Sequence, residues 1–276
     1  AGVITVRNDS GSILIDDVTA TGGTTAGGTA GTDGTIQLSA TTTIAQQATT
    51  AITAADGNLK LVSTGGDVTL NNVTNNVAIV AADLTGASSL SYTDADELSI
   101  GMIAQAGTGN AQLAAETGIV ATGADETVTV TSLTDQLTVD DVVTTASGNV
   151  VLTATAGALQ IDAAVTTTDG TATLTAGTTI TSTAAGTITT TGVNSATQGT
   201  AGGEVLLHST GAGAITLSGD ITASGGNTTA GTNDGGDAGV ITVRNDSGSI
   251  LIDDVTATGG TTAGGTAGTD GTIQLS

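Results

Sequence analysis

A pair of aliphatic triplets, set nine or ten residues apart, recurs along this 276-residue chain and restricts it to short, repeated strands. Five segments carry it: ITVRNDSGSILIDD (4–17), LKLVSTGGDVTLNN (59–72), VTVTSLTDQLTVDD (128–141), VVLTATAGALQIDA (150–163) and VLLHSTGAGAITLSG (205–219). Each has an aliphatic-x-aliphatic triplet, a polar turn containing Gly or Ser, a second triplet and a short polar corner. In an extended chain successive side chains face opposite ways. Ile4 and Val6, Leu59 and Leu61, Val68 and Leu70, and Leu137 and Val139 therefore share one face, with Thr5, Lys60, Thr69 and Thr138 on the other. The first set is expected to form the core and the second to meet solvent. Strands this short bury little as hairpins. Stacked in parallel, like over like, they turn every aliphatic position into a column.

A longer period lies above this unit. Residues 1–39 recur without a change at 238–276, so the sequence returns to its start after 237 residues. A period of this kind is read first, because it decides the architecture. First triplets at 4, 36, 59, 78, 98, 111, 128, 150, 172, 187 and 205 make eleven per period, a mean spacing of about 21.5 residues. The expected fold is all-β, a right-handed parallel β-solenoid of about eleven coils per 237-residue repeat. Residues 1–237 are one full repeat and 238–276 the start of the next, on one continuous body. Eleven coils at about 4.8 Å each rise roughly 50 Å. The two copies should form the same coil with equivalent neighbours. Gly/Thr loops at 19–34 and 222–239 should bulge from one side.

Composition agrees with a thin interior. The chain has 42 Gly, no Pro, Cys, Trp or Phe, and a single Tyr and Met, so Val, Ile, Leu and Ala must fill the core. Twenty-six acidic residues stand against three basic ones, a formal charge of −23, which excludes nucleic acid as a partner. No run of 18 uncharged apolar residues is present in this segment to enter a membrane.

Residues able to carry chemistry are few. His208 is the one histidine, follows the VLL triplet, and reads as a surface turn residue because no motif supplies a partner base or nucleophile. Asp16 with Asp17 and Asp140 with Asp141 look like acid/base pairs, but Asn71 with Asn72 fills the same place in another unit. A corner role, bonding to nearby backbone, is simpler. Calcium is the competing reading for the carboxylates, since a hard divalent ion would relieve stacked acidic corners. Gly27-Gly28-Thr29-Ala30-Gly31-Thr32-Asp33 approximates a calcium-binding nonapeptide with one residue too many, and loop 231–237 offers Asp234 and Asp237. The candidate metal residues are thus Asp33, Asp234 and Asp237, with Ca2+ as the only candidate cofactor and none required. T-x-T triplets at 127–129, 171–173 and 187–189 raise ice binding, but their spacing is irregular. Thr as a β-branched residue on a solvent-facing strand accounts for them.

The run GNVVLTATAGALQIDAAVTTTDGTATLTAGTTI (148–180) resembles the repeats of filamentous-haemagglutinin-type adhesins and related giant bacterial surface proteins. That resemblance implies a right-handed parallel β-helix exported to the bacterial cell surface or secreted as a filament, serving adhesion or aggregation. On this reading the chain is a non-catalytic structural or adhesive fibre segment. Its partners are adjacent repeats of the same filament, other filaments and cell-surface glycans. The alternatives are a calcium-stabilised spacer stalk presenting a distant ligand-binding domain and, behind it, an ice-binding solenoid.

Overall fold

The computed structural model describes residues 2–23, 31–86, 88–105 and 113–276. Among these the chain forms twenty-nine strands and no helix. Ten strands make one sheet, seventeen make a larger one, and two form a separate antiparallel pair. Every pairing in the two large sheets is parallel. The fold is all-β and parallel, as the triplets predict.

The ten-strand sheet runs through Ile13, Ile44, Val68, Leu90, Val128, Val150, Ala172, Val205, Ile241 and Ile273, each paired with the next. Between neighbours the chain leaves this sheet, contributes to the larger one and returns. The step is 22 residues from Val128 to Val150 and again to Ala172, where only tight turns intervene. It lengthens to 38 residues from Leu90 to Val128. Alternation does the rest: Leu70, Tyr92, Val130, Leu152, Leu174, Leu207 and Val243 stand in one register-matched file and are fully buried. From Ile13 to Ile241 there are eight steps, so eleven layers per period is an overcount. The triplets at 98 and 187 fall in Leu98–Ile100 and Ile188–Thr191, strands of the larger sheet that belong to layers already counted. The triplet at 111 begins outside the described residues.

The two identical segments repeat their pairing. Ile4, Thr5 and Val6 face Ile36, Gln37 and Leu38 in the first copy, and Ile241, Thr242 and Val243 face Ile273, Gln274 and Leu275 in the second. Their places in the stack differ. Val3–Asn8 lies in the larger sheet, whereas Ile241–Asn245 lies in the ten-strand sheet. Ile13–Ile15 and Ile250–Ile252 are exchanged in the opposite sense. The exchange happens at Asn76–Leu84. This nine-residue strand underlies two short ones, with Ile79 and Val80 paired to Ser99 and Ile100, and Ala82, Asp83 and Leu84 paired to Ile119, Val120 and Ala121. A corner enters the larger sheet there, and everything later stands one place round. On the following side the leading strands of the two copies have equivalent neighbours.

Close stacking at the corners requires glycine. A Cβ on Gly148 would lie 1.5 Å from the Glu126 carbonyl oxygen, and one on Gly118, where φ is +67°, would lie 2.0 Å from that of Val142.

Candidate functional site

Buried polar side chains run the length of the described residues, but the charged ones among them, Lys60, Asp94 and Glu126, all contact the region around residues 76–126. Three places stand out, and each follows from a local break in the strand pattern.

The first is on the outside of the larger sheet. Lys60 lies between inward Leu59 and Leu61, on the face expected to meet solvent, yet its side chain is 0 % exposed. It pairs with Gln37 and Ala81, both equally buried. The cover is the antiparallel pair Met102–Ile103 and Glu116–Thr117, which packs against Asn76–Leu84. Ala81 on the strand beneath and Ile103 of the cover are buried but lie outside the main core. Glu116 Oε1 lies 3.9 Å from Lys60 Nζ, and among the described residues Nζ has no hydrogen-bond partner. Burial pushes the Lys60 ammonium below its ordinary range, opposed by the charge of Glu116. Burial likewise raises Glu116; Lys60 opposes this and Asp83 adds to it.

The second is inside. Asp94 sits at the inward corner after the strand Leu90–Asp94, where Ser132 occupies the next layer. Its Oδ2 accepts the Tyr92 hydroxyl at 2.6 Å and the Val77 N–H at 3.0 Å, and its Oδ1 accepts the Asp96 N–H at 3.2 Å. Burial is the main influence on its pKa, which rises to about 7 against the lowering effect of these donors. Glu126 is enclosed in the same way, accepting Ser88 N–H at 2.7 Å and Gly123 N–H at 2.8 Å.

The third is an open groove of about 500 Å³. A register shift between Ala54 and Asn58 sets Ala55 and Asp56 at its wall, opposite Asp96, Glu97 and Asp135. The four carboxylates do not converge: among the described residues no group of three or more His, Cys, Asp or Glu is placed to hold a metal ion.

The candidate calcium residues are engaged separately. Asp33 accepts the N–H groups of Gly22 and of Asp56, and these donors, Gly22 first, hold its carboxyl below the usual range. Its counterpart Asp270 accepts Gly259 N–H at 2.9 Å. Asp234 accepts Thr266 N–H at 2.7 Å; Asp237 accepts both the N–H and the hydroxyl of Thr269, each at 2.7 Å. Each of the three fastens one loop to another. Gly27 to Ala30 of the nonapeptide-like stretch lie outside the described residues. The paired corner residues behave as corners: Asp17 accepts Ala51 N–H at 2.7 Å, Asp141 accepts Val142 N–H at 3.1 Å, and Asn72 donates to the Gln47 carbonyl at 2.6 Å.

His208 lies within the strand Val205–Ser209 rather than in a turn, beside Arg244 of the next layer. Both reach Asp246, Nε2 of His208 at 3.1 Å and Nε of Arg244 at 2.9 Å, and the histidine contact is the larger cause of that carboxyl's depressed pKa. Outward threonines stack in files on both large sheets, Thr144, Thr166, Thr189, Thr222 and Thr256 on one and Thr93, Thr131, Thr153 and Thr175 on the other. The T-x-T triplets do not line up: Thr129 and Thr173 lie in the ten-strand sheet with Val151 between them, and Thr189 lies in the larger sheet.

Sequence reasoning missed the enclosed polar groups. Lys60 carried one signal, as the only lysine of the chain, set in an otherwise acidic surface. No protein-family model, curated protein or solved structure matches the chain.

Proposed function

We propose that this chain is a structural, non-catalytic segment of an extracellular adhesive fibre, folded as a right-handed parallel β-solenoid and belonging to a giant repetitive cell-surface protein. The observation that carries this reading is the in-register parallel pairing of the two large sheets, in which the two identical segments, one in each sheet, offer the same edge to the strand that follows. A stack of this kind grows by adding layers and has no geometric reason to stop, which suits a fibre better than a pocketed enzyme. The resemblance of residues 148–180 to surface adhesin repeats supports the cell-surface assignment. So does the charge of −23, which keeps such a rod soluble and apart from its like.

Adjacent repeats are the first partners of such a segment, and surface glycans or neighbouring filaments the next. Eight steps and a fraction per period, at about 4.8 Å each, give an axial repeat of roughly 40 Å, shorter than the count of triplets implies. Antibodies raised against the chain should label filaments on the outside of source cells, and helical analysis of those filaments should return that repeat. Label confined to the cell interior, or filaments lacking that axial repeat, would overturn the reading.

A further inference from the structure

We propose that Lys60 and Glu116 are joined by an intramolecular amide bond, which clamps the paired strands Met102–Ile103 and Glu116–Thr117 onto the outer face of the larger sheet. The geometry has the parts that such a bond needs. Lys60 Nζ is wholly enclosed, has no hydrogen-bond partner among the described residues, and faces the Glu116 carboxyl at 3.9 Å. The Glu116 side chain is itself only 18 % exposed. Ala81, which pairs with Lys60, and Ile103, which pairs with Glu116, are buried outside the main core.

Left as an ion pair, this arrangement is poor. Two charges taken out of water are compensated only when the geometry is close and the remaining protons find acceptors. Here Nζ finds none. Desolvation favours the neutral amine and, helped by the negative charge of Asp83, the neutral acid. The neutral amine is the nucleophile and the neutral acid the electrophile. The Nζ lone pair attacks the Glu116 carboxyl carbon, a C–N bond forms, and the C–O bond to the hydroxyl breaks. That hydroxyl leaves with one amine proton as water. No oxidant or reductant is needed. Enclosure keeps the two groups side by side, which raises their effective concentration once the reacting atoms close to about 3–3.5 Å. The product has no buried charge, and exclusion of water protects it from hydrolysis.

Two readings of the folded, purified chain test this. Intact mass should fall short of the sequence mass by one water. Trypsin acting on the denatured protein should cut after Arg7 and Arg244 but not after Lys60, because an acylated lysine is not a substrate; residues 8–244 then remain one fragment. Glu116→Ala should restore both the full mass and the cut after Lys60, and Lys60→Met should restore the full mass. The wild-type result needs no variant to fold. Full mass together with cleavage after Lys60 in the wild-type protein would overturn the proposal, as would a water deficit that survives Glu116→Ala.

Discussion

Asp94 is where a single side chain most directly sets the chain's response to pH. Its carboxyl is raised from the ordinary 3.8 to about 7 by burial. That difference is worth roughly 4 kcal/mol between its two protonation states. Because the folded value is the higher one, this stability is fully present below the ordinary carboxylate value and is lost as pH rises through about 7. Asp94→Asn keeps an acceptor for Tyr92 and Val77 without the charge. We expect this variant to match the wild type in urea unfolding near the acid end, to exceed it by up to a few kcal/mol at about pH 8, and to flatten the profile between. Parallel profiles for the two proteins would show that the carboxylate is already relieved. Gly148 is the steric counterpart. Thr145 and Thr167 both donate their hydroxyls to its carbonyl, at 2.6 and 2.5 Å, while the Glu126 carbonyl fills the space a Cβ would take. Gly148→Ala must displace backbone, and a loss of about 2–4 kcal/mol is expected by thermal or chemical unfolding.

At the scale of the element, stability comes from columns rather than from single strands. A strand such as Val150–Ala154 has only five residues and is held by identical registers above and below. Leu152 lies in the middle of the file between Val130 and Leu174. Truncating it to Ala should cost about 2–5 kcal/mol, because neighbours locked in register on both sides cannot close the cavity. An outward position in the same strand should behave differently: Val151→Thr completes a row from Thr129 to Thr173 and should change stability by under about 0.5 kcal/mol. Equal effects at the two positions in a denaturant titration would mean that the alternation of faces does not govern stability.

For the whole molecule the dominant fact is a charge of −23. Added salt should raise the melting temperature by screening repulsion between layers. Since Asp33, Asp234 and Asp237 are each bonded to backbone N–H groups of another segment, Ca2+ and NaCl at equal ionic strength should act alike. A distinctly larger shift with Ca2+ in scanning calorimetry would favour the stalk reading instead, by specific binding to the folded state. The exchange of sheets between the two identical copies belongs to this scale too. If the unit is repeated in tandem, each copy starts one place further round the stack.

What the sequence determined by itself was whatever depends on nearest neighbours along the chain. Alternation of Val, Ile and Leu with Thr is local, so the short strands, their inward files and the parallel stacking followed from it. The corner Asp and Asn residues were legible for the same reason, since their partners are backbone groups that any tight turn supplies. Layer count, enclosed polar groups and placement of the copies were not legible, because each depends on which distant segment lies alongside. The triplets at 98 and 187 look like any first strand until their partners show them to be later strands of a layer already begun. Lys60 has the pattern of a solvent residue, and nothing near it in sequence announces Glu116, 56 positions away, which closes over it. Tertiary structure decided these features because burial is a property of what arrives from elsewhere, and a strand's own alternation specifies only which way its side chains point.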